Sequence, residues 1–370
     1  MSLTCGLVGL PNVGKSTLFR AITAAPAEIA PYPFTTIAPN IGVARVPDPR
    51  LEALAAIIRP KRVVPAALEL VDIAGLVRNA HKGEGLGNQF LARIREVDAL
   101  LHVVRCFQSD VAHVEGSVDP LRDIGIVETE LLLADLASVE RARANVAPRA
   151  RTGDRDAREQ DQVLERLERH LSGGRPARTF PPPPEGLPQP GEPSPAAIDR
   201  YHLLTARPVL FVANLSEVDS AASPCFNAVA RHAGAQEAGA VGLSANLEIE
   251  LAELHEEEAS EFLAALGIAE RGVPRLIRAC ERLLDLRTFF SIASDEVRAW
   301  PVPAGTRAHR AAGRIHSDME RGFIRAEVVA YADLVACGSI AAAREQGMIR
   351  LEGKDYEVRD GDVITFRFAV

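Results

Sequence analysis

The chain is poor in cysteine, in long apolar runs and in positive charge. Its five cysteines, Cys5, Cys106, Cys225, Cys280 and Cys337, lie far apart and form no C-x-x-C pair. That excludes a zinc-ribbon site and a disulfide framework, and fits a reducing cytoplasm. No run reaches the roughly 18 to 20 apolar residues of a membrane span, so no membrane partner is expected. No basic segment precedes the first apolar run, Leu3 to Leu10. That run is therefore expected to be a buried strand and not a signal peptide. The net charge of −8 does not advertise nucleic-acid binding, although a local basic face is compatible with it. What remains is ordinary: 370 residues, 47% apolar and 25% charged, which suit a globular chain of two or three domains.

The most specific stretch follows that first apolar run. Gly9-Leu10-Pro11-Asn12-Val13-Gly14-Lys15-Ser16 reads G-x-x-x-x-G-K-S, with a strand pattern before it and Leu18, Phe19 and Ile22 at helical spacing after it. Glycines let such a loop turn its N–H groups inward, and the following helix directs its positive end at phosphates. Lys15 is placed for the β- and γ-phosphates, and the Ser16 hydroxyl for Mg²⁺. The loop implies a bound nucleotide without naming the base.

Short apolar runs at Ile41–Val46, Ala66–Ile73, Asp98–Val104, Pro208–Asn214 and Ala240–Leu243 alternate with helical stretches. This predicts an α/β fold, a mostly parallel sheet with helices on both faces. Residues 1–125 and 198–282 form this nucleotide domain, with a helical insertion over 126–171. Between Arg141 and Arg178 ten arginines face six Asp and Glu, so the insertion is either a solvated helix pair or a basic hairpin touching RNA. Residues 172–197 are Pro-rich and read as an extended linker. From residue 283 to 370 the pattern becomes short strands (Thr288–Trp300, Arg325–Ala330, Ile349–Val370) with one helix near Tyr331–Gln346, a small α+β domain.

Asp72-Ile73-Ala74-Gly75 ends a strand in the form D-x-x-G. Asp72 is a Mg²⁺ candidate, and the Gly75 N–H is placed to meet a γ-phosphate whose loss would release the next loop. Thr36 is a second hydroxyl candidate for the metal, with Thr35 its rival. Asn214-Leu215-Ser216-Glu217 stands where GTP-binding switches carry Asn-Lys-x-Asp. Glu217 is one methylene too long to place its carboxylate where guanine needs it, so the expected base moves from guanine toward adenine. Ser244 and Ala245 match the loop behind the base. Leu76 occupies the place of a water-orienting Gln, which predicts slow intrinsic hydrolysis. His113 is the candidate substitute base, against the plainer reading of a capping histidine.

On GLVGLPNVGKSTLF, YPFTTIAPNIG, VDIAGLVRNAHKGEGLGNQFL, HVEGSVDPLRDI, LLTARPVLFVANLSE, GFIRAEVVAY and LEGKDYEVRDGDVITFRF, the chain resembles the Obg-like ATPase (YchF) family. The resemblance implies a P-loop G domain with a helical insertion and a C-terminal TGS domain of β-grasp type. It implies ATP hydrolysis in preference to GTP, dependence on Mg²⁺, and association with the ribosome, large subunit or whole, in regulating translation or stress response. It places phosphate binding on Asn12, Val13, Gly14, Lys15, Ser16 and Thr17, the metal on Ser16 and Thr36, and the base on Asn214 and Leu215. A cytoplasmic monomer is expected. The alternatives are a GTP-specific switch and a nucleotide-regulated ribosome- or RNA-binding module in which hydrolysis is incidental. The insertion departs from the family, since a Pro-rich stretch stands where an acidic helical return is usual.

Overall fold

The computed structural model describes residues 3–23, 41–73, 86–181, 200–217, 223–293 and 295–369. The expected positions Thr35, Thr36, Gly75 and Leu76, and the Pro-rich residues from 182 to 197, lie outside them.

Twelve strands among the described residues form two six-stranded sheets. The first contains β1 (Thr4–Val8), β2 (Ile41–Arg45), β4 (Ala67–Asp72), β5 (Ala99–Cys106), β6 (Val209–Leu215) and β7 (Gly239–Leu243), in the order β2-β4-β1-β5-β6-β7. Only β2 runs antiparallel, against β4. Every residue of β5 and β6 is buried. That explains their near-continuous apolar sequences, because helices cover both faces of a parallel sheet. Ligands of such sheets sit beyond the carboxyl ends of the strands. There the register brings together the residues that matter: Leu7 lies opposite Asp72, Arg105 opposite Asn214, and Asn214 opposite Leu243.

The insertion begins six residues before the expected 126. Asp119 caps the helix Pro120–Arg151 by accepting from Arg122 N, and proline occupies its first turn. Asp154 caps the next helix, Arg155–Ser172, which folds back on the first. Leu164, Leu167 and Leu171 meet Val139 in a small separate core. Past Val139 the first helix has no buried residue, so its outer end is held by surface contacts. The expected linker is corrected over its described part. Residues 173–181 are docked: a 3₁₀ turn at Ala177–Thr179 donates Ala177 N–H to Thr205 Oγ1 at 2.9 Å, and Phe180 packs on the same core. Composition suggested an extended strap, but its few apolar side chains found a surface to cover.

The second sheet has the order β11-β10-β12-β8-β9-β3, from β8 (Leu286–Ile292), β9 (Glu296–Pro303), β10 (Phe323–Ala330), β11 (Arg350–Glu352), β12 (Asp362–Phe368) and β3 (Arg62–Val64). The run Thr288–Trp300 is thus a hairpin of β8 and β9, not one strand. The expected helix over Tyr331–Gln346 is two, Tyr331–Cys337 and Ile340–Glu345. Gly338, at φ 70°, ends the first in the left-handed conformation, and Ser339 caps the second. One face of this sheet, with Phe289, Val328 and Ile364, packs on the helix Ala308–Ile315. Residues of the other face, Phe290, Val329 and Val363, join the core of the first domain. β3, which comes from the first domain's stretch of chain, pairs parallel with β9. No described helix is long and apolar enough to cross a membrane.

Candidate nucleotide site

A cavity of about 570 Å³ opens at the carboxyl ends of β5 and β6. Asn12, Gly14 and Thr17 line one side, Arg105 and Phe107 another, and Asn214, Leu215, Glu217 and Ser244 the far end. The volume lies within the usual range of small-molecule sites.

The phosphate loop turns between β1 and the helix Lys15–Thr23. Lys15 is buried, and its Nζ donates to Gly9 O at 3.2 Å and Leu10 O at 2.7 Å. Burial lowers its pKa to about 8, against the raising influence of Asp72. Desolvation penalises the ammonium here, and a triphosphate would restore its preference for the charge. Ser16 Oγ donates to Asp72 Oδ2 at 2.8 Å. These two oxygens suit Mg²⁺, which takes hard ligands and usually only one or two from the protein, with phosphates and water completing its shell. When bound, the ion would neutralise charge on the phosphates; Ser16 and Asp72 are the described residues placed to hold it.

Asn214 staples three segments. Its Nδ2 donates to Val13 O at 3.0 Å, and its Oδ1 accepts from Ala245 N at 3.1 Å. The staple explains Gly14, whose φ is 92° and where any Cβ would strike Asn214 Nδ2. Ser244 accepts from Leu247 N at 3.3 Å and caps the helix Ala245–Glu253, setting the turn behind the cavity. The fold thus brings the loop residues Asn12 to Thr17 together with Asp72, Asn214, Leu215, Glu217, Ser244 and Ala245 at one end of the sheet.

In the nucleotide-free fold both ring nitrogens of His113 are engaged. Its Nδ1 accepts from Glu115 N at 3.0 Å, which leaves Nε2 to donate to Asp123 Oδ2 at 2.7 Å. With both nitrogens engaged in a buried pair, the ring has no free lone pair to take a proton from water. His113 is also absent from the residues that line the cavity. It pins the chain before the helix Pro120–Arg151, which is the capping alternative.

Arg105 and Phe107 escaped the sequence reading. Arg105 is 1% exposed and lies over the Phe107 ring, with its Cζ 4.7 Å from the ring centre. The one signal was an arginine inside the apolar run of β5, since a buried strand admits a charge only where something specific receives it.

Comparison with known proteins agrees along the whole chain. Residues 4–141 match the family model described as "50S ribosome-binding GTPase". Residues 286–369 match the YchF-GTPase C-terminal family, described as a protein of unknown function. A protein of Bacillus subtilis (strain 168) named "Ribosome-binding ATPase YchF" is 49% identical over 375 residues, covering 100% of both chains. A protein of the same name from Escherichia coli O157:H7 is 46% identical over 371 residues, again covering 100% of both. The solved structure of the Schizosaccharomyces pombe YchF GTPase superposes with a TM-score of 0.85 at 33% identity, over 99% of this chain and 98% of that one. A GTP-binding protein from Pyrococcus horikoshii OT3 shares the fold, with a TM-score of 0.60 at 18% identity. With a phosphate loop in place and full-length relatives at close to half identity, the chain belongs to the YchF family of P-loop nucleotide hydrolases.

Proposed function

We propose that this protein is a Mg²⁺-dependent triphosphatase that prefers ATP to GTP and acts on the ribosome as a switch set by its nucleotide. The base end of the cavity carries this reading. Leu215 and Glu217 line it where guanine readers place Lys and Asp. The Asn214 amide is already committed to Val13 O and Ala245 N. Guanine's N1–H and N2–H therefore lack their usual short carboxylate, and a base that does not need it is favoured. The relatives' name, ribosome-binding ATPase, supports the same base and adds the partner.

In this reading the loop N–H groups and Lys15 hold the triphosphate, and Ser16 and Asp72 hold the metal. Catalysis of phosphoryl transfer is mostly positioning and charge stabilisation, so these groups are its main machinery. Intrinsic hydrolysis is slow, because Leu76 replaces the water-orienting Gln and His113 is fully engaged. The segment Arg141–Arg178, with ten arginines against six Asp and Glu, would meet ribosomal RNA, and regulation of translation or of a stress response would follow from when it does so. The protein would work as a monomer in the cytoplasm.

The test is competition of ATP and GTP for one fluorescent nucleotide. ATP is expected to displace the probe at a concentration at least about tenfold below GTP, a difference of about 1.4 kcal/mol. The reverse order would establish a GTP-specific switch. Co-sedimentation with ribosomes should differ between ATP, ADP and a non-hydrolysable analogue; equal binding in all three would make hydrolysis incidental.

A further inference from the structure

We propose that Arg105 is a positioning residue of the nucleotide pocket, its guanidinium holding the crest of the phosphate loop against the Phe107–Val111 wall before any nucleotide arrives. The inference rests on the nucleotide site proposed above and adds the residue that pre-forms one wall of it.

Arg105 sits at the end of β5, 1% exposed, where a charge is costly. Among the described residues no carboxylate pairs with it. Backbone carbonyls stand in that place. Nε donates to Phe107 O at 3.2 Å, Nη1 to Asn12 O at 3.2 Å, and Nη2 to Val111 O at 3.0 Å and Ser109 O at 3.5 Å. One planar group thus ties two segments far apart in sequence, and its outer face rests on the Phe107 ring.

The tie lands on a special residue. Asn12 has φ 61°, the left-handed conformation that side chains other than glycine seldom adopt. Its carbonyl is held by Arg105 and its own Nδ2 donates to Ala112 O at 3.3 Å. Asn12, Arg105, Phe107, Ser109 and Val111 all line the cavity, so the bonded group is a wall of the site. Lysine cannot replace this fork, because an ammonium gathers its three donors on one nitrogen and lacks the planar spread of the guanidinium that reaches acceptors on both segments. A wall assembled in advance lowers the ordering cost of binding, which appears in affinity more than in the rate of a bound complex.

The experiment uses Arg105→Lys and Arg105→Met in the full chain, with folding checked by circular dichroism and thermal melting. Both variants are expected to bind ATP about tenfold or more weaker, while kcat at saturating ATP stays within about threefold. A folded Arg105→Lys protein with wild-type affinity would overturn the proposal, as would a fall in kcat with affinity unchanged. If neither variant folds, arginine-¹⁵N spectra of the wild-type protein decide. A slowly exchanging Arg105 Nε–H signal is expected without nucleotide, and its appearance only after nucleotide is added would refute pre-formation. If the wild-type protein binds no nucleotide at all, the proposed function falls; if it binds and Arg105→Lys binds equally, only this inference falls.

Discussion

At the strand ends of the first sheet, Arg105 is buried and gives its guanidinium to backbone carbonyls. On the helical arm, Arg143 has a side chain 32% exposed and gives its own to Asp161 at 3.0 Å, Glu168 at 2.9 Å and Glu165 at 3.7 Å. The second arrangement has more opposite charge and carries less energy. Water screens the arm's ion pairs and already solvates their partners, so each is worth little. In the pocket the Arg105 guanidinium has left water, and any bond it loses leaves an unsatisfied donor behind. The helix Pro120–Arg151 passes between the two regimes. Asp123, Glu130 and Asp135 are buried near its start, and beyond Val139 none of its residues is.

Three substitutions bracket this contrast. The largest effect belongs to Lys15→Ala, for which calorimetry should show ATP affinity lower by about 100-fold or more, because a buried charged donor to phosphate is removed. Wild-type affinity would remove the loop from the binding site. The depressed pKa adds a sign that can be checked. Without nucleotide Lys15 loses its proton above about pH 8, whereas beside a triphosphate it keeps it. Binding at pH 9 should therefore take up a proton, visible as a heat that varies with the buffer's ionisation enthalpy. By the same linkage, the unfolded chain holds that proton up to the ordinary lysine value of about 10.5, so the nucleotide-free fold gains stability as pH rises through this window.

Asp135→Ala tests the buried root of the arm. Its carboxylate accepts from Leu204 N and Thr205 N, both at 2.8 Å, and from Thr205 Oγ1 at 2.7 Å. Losing it strands donors in a closed interior and should cost about 3 kcal/mol in urea denaturation. A cost below about 1 kcal/mol would mean that water reaches this root and that the contrast is drawn in the wrong place. The smallest effect is expected from Arg143→Ala, within about 1 kcal/mol and shrinking with added salt. A larger loss that salt leaves unchanged would show that the arm's ion pairs behave as buried ones.

The contrast also explains what the sequence could and could not disclose. Gly9 to Ser16, Asp72 and Asn214 were legible because their chemistry is written in neighbouring residues and in strand-end positions. The parallel sheet was legible because β5 and β6 are near-continuous apolar runs. Arg105 was not, since its meaning depends on Asn12, which the fold brings to it in the loop after the neighbouring strand β1. His113 suggested a base by residue type alone, and only the positions of Glu115 N and Asp123 show its ring fully bonded. Arg178 lay in a stretch read as linker, yet it is half-buried and donates to Gln236, which ends the helix Pro224–Ala235. β3, at three residues, is too short to leave any periodic trace.

That short strand bears on where the molecule can be divided. β3 closes the outer edge of the second sheet beside β9, with Arg62 N bonded to Asp295 O at 2.9 Å, and Phe290, Val329 and Val363 face the first domain's core. The segment 286–369 matched by its own family model is therefore expected to need the rest of the chain to complete its sheet and cover its second face. Excised alone, it would leave with a bare backbone edge on β9 and an uncovered apolar face. Both invite self-association, so a fragment meant to behave as a domain must take its missing strand along.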